Sequence, residues 1–147
     1  MNDLTGKYPV VLTQDVIWRD LDAFEHVNNA VYFRYFEDAR IAYFERTGIL
    51  AYKQETNRGP ILASTKCDFR APLTYPDRIH IATTVEGLQG KRFMMKYLVF
   101  SERVGGLAAE GEGLIVYYDY AAGRSCEVPE SIVLAINEIE ATVGQGH

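Results

Sequence analysis

VIWRDLDAFEHVNNAVYFRYFEDARIAYFERTG, residues 16–48, is the stretch that decides the fold. Val16–Trp18 reads as a short strand entering a polar loop that holds Asp20, Asp22, Glu25, His26, Asn28 and Asn29. The Asn28-Asn29 pair marks a helix start, because an asparagine side chain accepts hydrogen bonds from the first free helix amides. Gly48 marks its end, since glycine adopts the left-handed conformation that closes a helix. Between Ala30 and Phe44 the charges are Arg34, Glu37, Asp38 and Arg40. Val31, Tyr32, Tyr35, Phe36, Ala39, Ala42 and Tyr43 fill a continuous arc of roughly 140°, wider than a surface helix needs. Phe33, Ile41 and Phe44 lie among the charges on the other side. Such a helix calls for cover on most sides, by a sheet wrapped round it or by a sheet plus a second subunit.

The loop before the helix is also the candidate chemical site. A helix start presents unpaired N–H groups and a partial positive charge, which favour anions and developing oxyanions. Two aspartates and a histidine next to such an end have the parts for hydrolysis. Taken singly, an aspartate there is more often a turn or cap residue. Their clustering beside a nearly apolar helix shifts the reading towards chemistry.

Along the rest of the chain, Met1–Pro9 reads as a loose or edge segment and Val10–Leu12 as the start of the first strand, which Val16–Trp18 would continue. Ala51–Gly59 reads as polar and irregular. Ile61, Ala63, Thr65, Cys67 and Phe69 alternate with Ser64, Lys66, Asp68 and Arg70, with Leu62 as the exception, which is the pattern of a half-buried strand. Arg78–Leu88 and Lys91–Ser101 alternate on either side of a Gln89-Gly90 hairpin turn. Leu107–Tyr120 gives a long last strand. Pro129 opens a closing helix on Ile132, Ala135, Ile136 and Ile139. The order predicts one α+β domain over residues 1–147, one sheet around one helix.

Composition sets bounds. The 147 residues suit a single domain, and 48% hydrophobic with 24% charged is ordinary for a globular protein. A net charge of −5 argues against a nucleic-acid groove. No apolar run is long enough to span a membrane and the first residues lack a signal-peptide core, so a cytoplasmic protein is expected. Cys67 and Cys126 are expected as free thiols. No metal site is expected, since neither a Cys-x-x-Cys nor a close histidine pair occurs.

Asp20-Leu21-Asp22-Ala23, then His26-Val27-Asn28-Asn29-Ala30-Val31-Tyr32 and Tyr35-Phe36-Glu37-Asp38-Ala39-Arg40, resemble the hotdog-fold acyl-CoA thioesterases of the 4-hydroxybenzoyl-CoA thioesterase group. Phe69-Arg70-Ala71-Pro72-Leu73, Asp77 and Val128-Pro129-Glu130 extend the resemblance over nearly the whole chain. It implies a hotdog fold, a curved antiparallel sheet of five or six strands around one long helix. It also implies a homodimer that pairs its sheets, with active sites at the interface, and dimers that often pair into tetramers. The family's catalytic carboxylate falls at Asp22, as general base or nucleophile, and its carbonyl-polarising amide at the backbone of Asn29. Both uses of Asp22 need an ionised carboxylate, a state that a helix N-terminus favours.

His26 is the second catalytic candidate, to orient water or the thioester; a purely structural role for it weighs somewhat more. Asp20 is expected to brace the loop, and Glu37 and Arg40 to pair. No cofactor is expected beyond the CoA of the substrate, whose phosphates would meet Lys91 and Arg92. Many relatives carry glycine where this chain has Glu25, which puts the loop shape in question. Two other readings compete: an acyl-CoA sensor without turnover, and an acyl-thioester dehydratase or hydratase. The second is disfavoured because His26 precedes the helix while His80 and His147 lie far off in sequence. The acyl group is left open, as is CoA against an acyl carrier as the thiol that bears it.

Overall fold

Residues 4–143 are described in the computed structural model; His147 and the other terminal positions lie outside them. The chain runs α1 (Leu4–Lys7), β1 (Val10–Asp15), a 3-10 turn (Trp18–Asp20), α2 (Asn29–Thr47), α3 (Ile49–Thr56), β2 (Arg58–Phe69), β3 (Arg78–Gln89), β4 (Arg92–Ser101), β5 (Gly106–Asp119), β6 (Arg124–Ser125) and α4 (Glu130–Glu140). The strands form one antiparallel sheet in the order β1-β3-β4-β5-β2, with the two residues of β6 added to β5. The long helix α2 lies against one face, which is the expected hotdog arrangement.

Burial of one aromatic stripe sets the position of α2. Tyr32, Tyr35, Phe36, Ala39, Tyr43, Phe44 and Thr47 are buried, at the three- and four-residue spacing of one helix face. They meet Ile79, Ile81 and Val85 of β3, Phe93, Met95, Tyr97 and Val99 of β4, and Ile115 and Tyr117 of β5. The Phe36 ring stacks on Tyr97 with centroids 4.7 Å apart. Gly111 makes that approach possible, because a Cβ there would lie 2.5 Å from the Phe36 ring. Each such side chain contributes about 1.5–3 kcal/mol by leaving water.

The structure corrects several expectations. Val16–Trp18 is not a strand: the Val16 N–H bonds the Asp77 carbonyl beyond the end of the ladder, and Trp18 opens the 3-10 turn. Leu4 of the supposed loose segment is buried in α1. Ala51–Gly59 is largely the helix α3, bracketed by left-handed residues at Gly48 and Asn57. Ile49 is the one residue buried in α3, so no apolar stripe announces it in the sequence. A bulge between Leu62 and Ser64 explains why Leu62 broke the alternation of β2: it turns Leu62 to the helix side along with Thr65. Pro129 caps α4 rather than opening its first turn. Of the three apolar residues on the mixed face of α2, Phe44 is buried, whereas Phe33 and Ile41 are 38% and 39% exposed.

The C-terminal helix packs Ile132, Ile136 and Ile139 into the core, and one carboxylate near its end pins it to β3. The last β1–β3 pair joins Val10 to Thr83, so the β3 edge is bare beyond it. Glu140 of α4 fills that gap, accepting from Val85 N at 2.9 Å, from Tyr43 Oη at 2.6 Å and from Thr84 Oγ1 at 2.5 Å. Burial first, then this bond, pushes the Tyr43 phenol well above its ordinary range.

The turn from β1 into α2 is a closed backbone loop. Leu21 and Val27 form a one-pair bridge, Asp22 N bonds His26 O at 2.7 Å, and Glu25 N bonds Asp22 O at 3.0 Å. Asn28 N bonds Asp20 O, and Val27 N reaches Leu73 O. Glu25 closes the turn at φ 64°, so a residue with a side chain takes the left-handed conformation that glycine adopts without strain. That costs an L-residue about 1–2 kcal/mol.

Two outcomes are expected. Glu140→Ala leaves three donors without their acceptor and lowers stability by about 2–3 kcal/mol, read as a fall in Tm, while Glu140→Gln loses less. Glu25→Gly relieves the turn strain at some entropic cost and raises stability by about 0.5–1 kcal/mol, read as a higher urea midpoint at unchanged slope.

Candidate active site

The side chains of the loop divide into those that build it and those that face out of it. Asp20 braces it as expected, through both carboxylate oxygens to the Arg34 guanidinium. Asp22 Oδ1 accepts from Phe24 N at 2.9 Å and from His26 N at 3.3 Å, an Asx turn that fixes the carboxylate's orientation. Among the described residues nothing donates to Asp22 Oδ2. The backbone of His26, not its ring, ties the loop together.

The helix start has one amide to spare. Asn28 Oδ1 accepts from Ala30 N at 2.9 Å and the Asn28 carbonyl accepts from Val31 N, which makes Asn28 the cap. Among the described residues nothing accepts from the Asn29 N–H.

Asp22, His26 and Asn29 line one cleft of about 280 Å³. Its remaining walls are Val27, Tyr32, Phe69, Arg70, Ala71 and Pro72. Tyr32 and Phe69 meet edge to face at 4.9 Å and form an apolar side. Arg70 stands at the polar rim, held by Glu110 at 2.7 Å. Sequence reasoning gave residues 69–72 no role at the site. Their place there follows from antiparallel pairing of β2 with β5, which brings Phe69 opposite Ala109 and lets Arg70 N and Ala71 N share the Ala108 carbonyl.

Lys91 and Arg92 do not reach this cleft within the subunit. They are exposed at the β3–β4 turn, where Arg92 pairs with Val116. The cleft end of the sheet is at Val99, Ala109 and Phe69, about 23 Å away along β4. His80 is engaged elsewhere, with Thr13 at 2.9 Å and Glu102 at 2.8 Å. The expected Glu37–Arg40 contact is loose, at 3.9 Å; Arg40 bonds Tyr97 Oη at 3.1 Å. Burial, then Asp68, pushes the Cys67 thiol up to about 11, which leaves it a protonated, poor nucleophile at neutral pH. No three His, Cys, Asp or Glu side chains converge as a metal site among the described residues.

A larger hollow of about 480 Å³ includes the outer face of the sheet, and both of its lysines are engaged by carboxylates of its own lining. Lys96 meets Glu112 at 2.7 Å and Glu86 at 3.9 Å, and Lys66 meets Glu112 at 3.8 Å. The smaller cleft, with a carboxylate oxygen and a helix amide both uncommitted, has the elements of acyl transfer: a base or nucleophile and a donor for a carbonyl oxygen.

Comparison with known proteins places the chain in a family. The family model described as the thioesterase-like superfamily matches residues 16–136. A thioesterase of Thermus thermophilus, solved with coenzyme A and zinc, is 33% identical over 91% of this chain and 96% of its own, with a TM-score of 0.80. The SAV2348 protein of Staphylococcus aureus, solved with CoA, superposes with a TM-score of 0.85 over 94% of this chain and 87% of its own; at 18% identity that likeness is one of fold. The long-chain acyl-CoA thioesterase FadM of Escherichia coli is 26% identical over 90 residues, 61% of this chain and 68% of its own. Motif, fold and cleft thus converge, and the chain belongs to the thioesterase-like superfamily.

Proposed function

We propose that this protein is a hydrolase of acyl-CoA thioesters, acting through Asp22 as one domain over residues 1–147. The observation that carries the reading is the shared cleft. Asp22, whose Oδ2 has no partner among the described residues, and Asn29, whose N–H has none, line the same 280 Å³ space. The thioester carbonyl oxygen takes the Asn29 N–H, reinforced by the positive end of α2. Asp22 then removes a proton from water as that water attacks the carbonyl carbon, or attacks the carbon itself to give an anhydride that water opens. Either way negative charge develops on the carbonyl oxygen beside the amide, and the C–S bond breaks to release CoA thiolate. His26, at the cleft rim, orients the water.

CoA enters as part of the substrate. Its phosphates are assigned to Lys91 and Arg92, which calls for a second copy of the chain. β2 is the outer strand of the sheet, with β5 its partner on one side and none on the other among the described residues. An exposed strand of twelve residues invites pairing. A two-fold axis through it makes a homodimer with antiparallel β2 strands. That arrangement carries the turn end of one subunit's sheet beside the cleft end of the other, where the basic pair reaches a nucleotide. Pairing of dimers into tetramers and a cytoplasmic location complete the reading; no helix among the described residues is long and apolar enough to cross a membrane.

Asp22→Asn keeps the Oδ1 acceptor that the turn needs, so the variant is expected to melt near wild type while kcat for its best acyl-CoA falls about 100-fold or more. Wild-type turnover by that variant would refute the assignment. Lys91→Glu with Arg92→Glu is expected to raise KM for acyl-CoA about tenfold, a loss near 1.4 kcal/mol, and to leave hydrolysis of a pantetheine-like thioester without a nucleotide unaffected.

A further inference from the structure

Tyr32 is the tyrosine of α2 that lines the cleft with Asp22, His26 and Asn29. It is 2% exposed, yet its O–H has no acceptor among the described residues. Phe69 and Tyr35 hold the ring edge to face, with centroids 4.9 Å and 5.9 Å away. A phenylalanine would keep both contacts and fill the same space. The hydroxyl adds a buried proton without a partner, which costs stability unless a ligand takes it.

Helix geometry places that hydroxyl near the Asn29 amide. Tyr32 comes three positions after Asn29, one turn further along the same face of α2. Helical side chains tilt back toward the N-terminus, so the far end of a long one covers the turn before it. The phenol is thereby carried back toward the level of Asn29. Backbone contacts agree with this direction. The Leu73 N–H is directed at the Tyr32 oxygen, and the Leu73 carbonyl accepts from Val27 N at 2.9 Å, just ahead of the helix. Val27 and Pro72, on either side of that junction, are walls of the cleft. Burial first, opposed by the Leu73 N–H, pushes the phenol above its ordinary range, so it keeps its proton at neutral pH. A hydroxyl that accepts from one side also donates more strongly on the other.

We infer that the Tyr32 hydroxyl is a further catalytic residue, the second donor to the thioester carbonyl oxygen beside the Asn29 N–H. This rests on the thioesterase reading and completes its oxyanion site within one subunit. The phenol proton stays on its own oxygen throughout. Its hydrogen bond strengthens as the carbonyl oxygen gains charge and relaxes when the C–S bond breaks. Held by Phe69, Tyr35 and Leu73, the donor needs no reorganisation at the moment of reaction.

Tyr32→Phe tests it, with octanoyl-CoA and benzoyl-CoA as probes and the faster of the two carried forward. The variant keeps the ring, so it is expected to melt near wild type. Its kcat is expected to fall about 100-fold while KM changes less than about twofold. The direct readout is the infrared carbonyl stretch of the same acyl-CoA, isotope-labelled at the thioester carbon and bound to Asp22→Asn so that turnover does not consume it. Each donor lowers that frequency, and adding Tyr32→Phe is expected to return the band part-way upward.

An unmoved band overturns the inference. So does wild-type kcat in Tyr32→Phe, or a loss confined to Tm or KM, which is what a hydroxyl serving packing alone produces. Should Tyr32→Phe fail to fold, fluorotyrosine at position 32 takes its place as a more acidic donor on the same ring. The band then moves to lower frequency, and no movement overturns the inference equally. If the wild type releases no thiol from either acyl-CoA, the thioesterase reading falls and takes the second donor with it. A wild type that is active beside an unimpaired Tyr32→Phe sinks the second donor alone.

Discussion

The seating of the aromatic face of α2 on the sheet is the constraint from which the rest follows. Phe36 stacks on Tyr97 above Gly111, and Tyr35, Ala39 and Tyr43 are fully buried around it. Interiors packed at this density admit little rotation or sliding of the helix. Once seated, α2 has its N-terminus fixed at the β1 loop and at the end of β2. A helix end aimed into a cleft is useful for catalysis only when its position is held by something heavier than the loop that precedes it. Here the hydrophobic core supplies that hold.

The loop combines structural and chemical roles within single residues. Asp22 spends one carboxylate oxygen on closing its own turn, and the residue also lines the cleft. The Asx turn thereby fixes the orientation of the carboxylate. The Asp20–Arg34 pair ties the loop to the first turns of α2, so that carboxylate and amide move together. The left-handed backbone at Glu25 is the strain this compact turn carries, and the surrounding hydrogen bonds keep it in place.

On the far side lies the free edge of β2. The helix-facing side of β2 carries exposed Leu62 and Phe69, and the nearby face of α2 carries exposed Phe33 and Ile41. β2 also leaves one edge of backbone donors and acceptors unpaired by any described strand. In the homodimer proposed above, a second copy would cover exposed apolar side chains and bare backbone groups together.

Periodicity and punctuation alone were enough to read the long helix, its Asn28 start and Gly48 stop, the alternating strands β3, β4 and β5, and the closing helix. Each of these is set by contacts within a few residues or by one repeating apolar face. The polar loop of Asp20, Asp22, His26, Asn28 and Asn29 before the helix was legible for the same reason, whereas the roles of Asp22 and the Asn29 amide are what the family resemblance implies. Tertiary structure decided the rest. α3 has too few apolar residues to show a period, and the Leu62 bulge exists only against β5. The Phe69–Pro72 wall reaches the loop through pairing with a strand about forty residues removed in sequence. The sequence shows Lys91 and Arg92 as a basic pair at a hairpin, and only the register of β4 shows that this hairpin lies at the end of the sheet away from the cleft of the same subunit. Local rules act over one turn or one strand, whereas the walls of a site come from elements that meet only when the core closes.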